Sequence, residues 1–236
     1  MNVINIWVLN LFLIVFGVFT KPIIVIAQDT IIVNTCSVKK KMAFINEKLN
    51  SCEDQVYPKF NYFQCIRKSN ADTEIRFYSQ RGNLGNLRLY QFYKDSIRTI
   101  DFRFLFLIDN INHKNLEIPN YKFLGLFKEQ RLYVKKVSEN LIEEKEEVCR
   151  FFSQIVDSEI SSVLDGSLLD EDIRSKFPEL NQYAEALNYV EFKFQNHFKD
   201  LKIPSIIYDS NVENQIPALK KIRNFYAVLK EIDEME

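Results

Sequence analysis

Only two side chains in the sequence titrate near neutral pH, His113 and His197. Two histidines can divide general acid and general base work between them and cleave RNA without a metal, provided an arginine or lysine holds the scissile phosphate. Helical spacing places His197 about 20–60° from Val190, Phe194 and Leu201 on a wheel, on an apolar face. There it would be either a catalytic group at the floor of a cleft or a core histidine bonded to a neighbour. His113 falls in a polar stretch between two expected strands, where an ordinary surface residue is the simpler reading. A second group is basic: Arg76, Arg81, Arg88 and Arg98, interleaved with Tyr90, Tyr93 and Lys94. Arginines among aromatic rings can bind phosphates with stacking support. The same pattern also makes the outer face of a half-buried sheet, which is the reading favoured here.

Other chemistries find little support. H-E-x-x-H is absent, and Gly166-Ser167-Leu168-Leu169-Asp170 lacks the second glycine of a nucleophile elbow. The acidic groups at 143–147 and 170–172 lack the spacing of a calcium loop and read as solvated helix faces. With only five glycines, neither G-x-G-x-x-G nor G-x-x-x-x-G-K-[ST] occurs. No cofactor and no metal is therefore expected. Gly82-Asn83-Leu84-Gly85 has the form of a GxxG loop, but Gly and Asn there more simply make a turn.

The cysteines are Cys36, Cys52, Cys65 and Cys149. No pair has C-x-x-C spacing, so a disulfide framework of two bridges, in one of three connectivities, is the expectation for an exported chain.

That expectation depends on the first 27 residues. Residues 6–19 form an apolar run, and Val25-Ile26-Ala27 resembles a signal-peptidase site, so 1–27 reads as a signal peptide. The alternative is a retained membrane anchor, since residues 3–26 approach the roughly 20 apolar residues that a span needs. Without 1–27 the balance is 30 basic against 32 acidic side chains, too even for a global field toward nucleic acid or anionic membrane.

Residues 28–236 are expected to form a single α+β domain with an N-terminal helix, a central, mainly antiparallel sheet and C-terminal helices. The first helix is predicted over 34–54, from the stripe Val38, Met42, Ile45, Leu49 and Cys52. Alternation in 74–77, 86–89 and above all 101–108, with Phe102, Phe104, Phe106 and Ile108 pointing one way, predicts strands over about 73–135. Helical spacing returns with Val137, Leu141, Val148, Phe152 and Ile155. It continues in Leu180 to Leu201, and in a last helix opened by Pro217.

The functional expectation is a secreted interaction protein that binds a macromolecular partner, a protein in the first instance. The alternative is a small secreted ribonuclease-type toxin or hydrolase using His197 or His113, with RNA as its partner. A membrane would be a partner only if the leader is retained.

Overall fold

The computed structural model describes residues 28–35, 38–45, 65–108, 118–127, 130–163, 166–178, 187–204 and 210–235. Its centre is a seven-stranded sheet. β3 (Thr73–Arg81), β4 (Leu84–Phe92), β5 (Ile97–Ile108), β6 (Lys122–Phe127) and β7 (Gln130–Ile142) come from the middle of the chain. β8 (Leu187–Phe194) and β9 (His197–Pro204) come from much later. The spatial order is β6-β7-β5-β4-β3-β8-β9, and every neighbouring pair is antiparallel. Among the described residues four helices follow β7 in sequence: α1 (Lys145–Asp157), α2 (Gly166–Lys176), α3 (Ser210–Gln215) and α4 (Pro217–Glu234).

The strand pattern of 73–135 has the expected cause. In β5 every second residue, Phe102, Phe104 and Phe106, is buried with Leu87, Leu89, Leu132 and Val134 on one face of the sheet. The other face carries Ile75, Tyr90, Phe92, Ile97, Val190, Phe192 and Phe194. These pack against Val148, Phe151 and Phe152 of α1 and Leu219, Ile222, Phe225 and Leu229 of α4. Phe225 meets Phe192 with ring centroids 5.5 Å apart. Pro217 opens α4, where its missing N–H costs nothing.

Over 38–45 the expected N-terminal helix gives way to a strand. β1 (Gln28–Thr35) and β2 (Val38–Ile45) form an antiparallel hairpin, with Ile31 opposite Met42, Ile32 opposite Lys41 and Val33 opposite Lys40. The β-branched run Ile31-Ile32-Val33 supplies a ladder partner that satisfies the same backbone groups a helix would. Residues 46–54 of that expected helix lie outside the described residues, as does the leader, 1–27. Over 187–201 the expected helix is likewise replaced by the β8–β9 hairpin, and its residues 180–186 lie outside the described residues. Val190, Phe192 and Phe194 alternate, as do Lys199, Leu201 and Ile203, and Gln195-Asn196 makes the turn with Gln195 at φ 54°. Val137 and Leu141 belong to β7, not to a helix.

The expected disulfide framework is narrowed: of its three connectivities, the one that joins Cys65 to Cys149 is excluded. Cys65 and Cys149 are not close, and no bridge joins them. Cys149 rides on α1 and Cys65 precedes the 3-10 turn Ile66–Lys68, so packing the helix on the sheet holds them apart. Each is nonetheless disulfide-bonded, and neither is a free thiol. Cys36 and Cys52 lie outside the described residues.

Gly82-Asn83 is the two-residue turn between β3 and β4, with φ +57° at Gly82, as a primed hairpin turn requires. Gly85 answers to a close approach instead. A Cβ there would lie 3.1 Å from the Tyr78 hydroxyl and 3.2 Å from a ring carbon of Phe106. Among the described residues no helix is long and apolar enough to cross a membrane.

Candidate functional site

Strand pairing fixes what stands on the helix-bearing face of the sheet. Phe77 of β3 is opposite Arg88 of β4, and Arg88 is opposite Asp101 of β5, so the three form a row across three strands. The last turns of α4 run above this row. Tyr226, Leu229, Lys230 and Asp233, spaced by three, one and three, present one helix face to it. Between sheet and helix lies a cleft of about 380 Å³, lined by these residues together with Ser79, Asn86, Arg103 and Val137.

Arg88 is the hub. Its Nη1 lies 2.9 Å from Asp101 Oδ2 and its Nη2 lies 2.9 Å from Asp233 Oδ1. Ser138 Oγ donates to Asp101 at 2.9 Å, and the Tyr90 hydroxyl donates to Asp233 at 3.0 Å. The guanidinium sits 5.4 Å from the centre of the Tyr90 ring, within cation–π range. Burial, and then the charge of Asp233, push the Tyr90 phenol well above the ordinary tyrosine range, although Arg88 opposes this. Burial does the same to Tyr226, whose hydroxyl accepts from Asn188 Nδ2 at 2.9 Å. Arg88 is thus a structural cation, fixed between a strand and a helix.

The cleft mouth differs. Arg103, opposite Asn86 in β4, is exposed and forms no ion pair with any described residue. Lys135 of β7 stands opposite Arg103 in register, on the same sheet face. Val137 sits where the β5–β7 register shifts at Asp101/Phe102, and it is 48% exposed. The bulge turns this apolar side chain toward the cleft. The other walls are Phe77 and Tyr226, in edge-to-face contact at 5.7 Å, and Leu229.

The four arginines singled out from sequence do not converge. Arg76 is buried on the opposite sheet face, bonded to Glu74 and 3.9 Å from Glu191. Glu74 also accepts from Gln91 Nε2 at 2.9 Å and from Ser69. Arg98, on that same face, pairs with Glu139 at 2.5 Å. Arg81 ends β3, exposed. Arg88 alone enters the cleft. His197 opens β9 beside the hairpin turn and is half-buried, opposite Phe194. Arg88 lies three strands across the sheet and four register positions along it, which is roughly 19 Å by strand spacing and rise. His113 lies outside the described residues.

Asp101 was open to discovery from the sequence. Once Phe92 and Ile97 are seen to flank the turn, counting back brings Arg88 opposite Asp101. No sequence signal brings Asp233, 145 positions from Arg88, to the same place. No group of three His, Cys, Asp or Glu able to hold a metal ion occurs among the described residues. The chain matches no protein-family model, and no curated protein is detectably similar to it.

Proposed function

We propose that this is an interaction protein that works outside the cytosol, binding a protein partner at the cleft beneath α4. The placement outside the cytosol rests on the leader-like character of residues 1–27. What carries the binding reading is the division of labour in the cleft. The inner arginine is held by two carboxylates, so the pocket is kept in shape. The outer arginine and an exposed valine stand ready for contact. A rigid, partly apolar recess with an uncommitted polar group at its rim has the form of an anchor site at an interface.

The test is incubation of the purified chain with single-stranded and structured RNA beside a His197→Ala variant. No cleavage above that of the variant is expected. Cleavage that disappears in His197→Ala, with the circular dichroism spectrum retained, would overturn the binding reading in favour of a nuclease.

A further inference from the structure

The chemistry of the cleft mouth narrows what such a partner presents. We propose that the cleft takes a segment of a partner protein in which a large apolar side chain adjoins a carboxylate. The apolar group enters between Val137 and the Tyr226–Leu229 face of α4, and the carboxylate accepts hydrogen bonds from Arg103. This rests on the binding reading above and adds the class of ligand.

Three observations lead there. First, the cleft's inner charges are mutually compensated. Arg88 faces Asp101 and Asp233, each of which also accepts a hydroxyl hydrogen bond, from Ser138 and Tyr90. A second anion placed deep in the cleft would face two carboxylates, so an anion belongs at the mouth. Second, the mouth carries Arg103, with no ion pair to any described residue, and Lys135 opposite it in register. Lys230 is also at the rim, 76% exposed and 3.3 Å from Glu234. A guanidinium offers a planar pair of donors that matches a carboxylate. Third, Val137 stands half-exposed in the cleft lining beside Phe77, Tyr226 and Leu229, so the cleft wall is apolar where the rim is cationic. A volume of about 380 Å³ lies in the low part of the range for small-ligand pockets, suited to one or two side chains rather than a folded element.

The full chain is titrated by fluorescence anisotropy with three labelled, end-blocked peptides that differ only at their centre: Phe-Glu, Phe-Gln and Gly-Glu. Phe-Glu should bind the tightest, about tenfold better than either of the others, the loss of one charge-assisted hydrogen bond or of one buried ring. Arg103→Gln, at an exposed position, should remove the advantage of Glu over Gln while leaving the circular dichroism spectrum unchanged. Raising the salt concentration should weaken the two Glu peptides and leave Phe-Gln unaffected. Equal binding of Phe-Glu and Phe-Gln, indifference to Arg103→Gln, or no binding of any peptide at millimolar concentration overturns the assignment. Such a failure is distinct from failure of the binding reading, which is decided by the His197-dependent RNA assay.

Discussion

Replacing Arg88 with methionine keeps the aliphatic bulk and removes the cation that joins β4 to α4. The magnitude follows from exposure. The Arg88, Asp101 and Asp233 side chains are 18%, 26% and 34% exposed, so their pairs sit between two limits. Breaking a fully buried pair costs about 3–5 kcal/mol, and an exposed pair contributes about 0–1 kcal/mol. Ser138 and Tyr90 continue to donate to the two carboxylates after the substitution, which softens the loss. About 2 kcal/mol for the pairs and about 0.5 kcal/mol for the contact with the Tyr90 ring give about 2.5 kcal/mol. Urea unfolding followed by far-ultraviolet circular dichroism should show a lower midpoint with an unchanged slope. In a domain of this size Tm should fall by about 5–10 °C. The triple variant Arg88→Met, Asp101→Asn, Asp233→Asn should recover part of the loss, because the cost arises from carboxylates left without their cation. If Arg88→Met costs less than about 0.5 kcal/mol, or the triple variant is worse than the single one, the hub does not stabilise the cleft as argued.

Two further outcomes test other parts of the structure. Gln195 occupies the left-handed region at the β8–β9 turn, which costs an L-residue about 1–2 kcal/mol. Gln195→Gly should therefore stabilise by about 0.5 kcal/mol after the greater freedom of glycine in the unfolded chain is counted. In a helix the same change would destabilise by about 1 kcal/mol, so the sign of the shift in thermal unfolding checks the hairpin. Burial raises the phenols of Tyr78, Tyr90 and Tyr226 above the ordinary range. Unfolded tyrosines lose their protons near pH 10 while the native ones keep them. Stability should thus be intact below about pH 10 and decline above it, by up to about 4 kcal/mol per pH unit for three groups. Urea midpoints between pH 8 and pH 11 should show this, with a shallower decline in Tyr226→Phe, and a flat profile to pH 11 would refute it.

Local pattern alone determined a good part of this molecule. The alternation of Phe102, Phe104 and Phe106 settled that they share one sheet face, because side chains on a strand have a period of two. The stripe Leu219, Ile222, Tyr226, Leu229 and Ile232 and the proline before it settled the last helix. The turn at Gly82-Asn83 followed from residue chemistry, since glycine reaches positive φ without steric cost. Where period two and period 3.6 both fit, as in Val190, Phe194 and Leu201, only the partner strands decided. Pairing with β3 gives residues 189–194 a ladder that no neighbouring stretch of chain reveals. The same holds at residues 38–45, which paired with 28–35 instead of coiling. The cleft lies furthest from what sequence determines. Arg88 was visible as one of four arginines, but burial, strand parity and ion pairing sent Arg76 and Arg98 to the opposite face and left Arg88 beneath α4. Arg103 gains its meaning only from what surrounds it, because whether a cation is compensated depends on neighbours that the tertiary structure alone brings within reach.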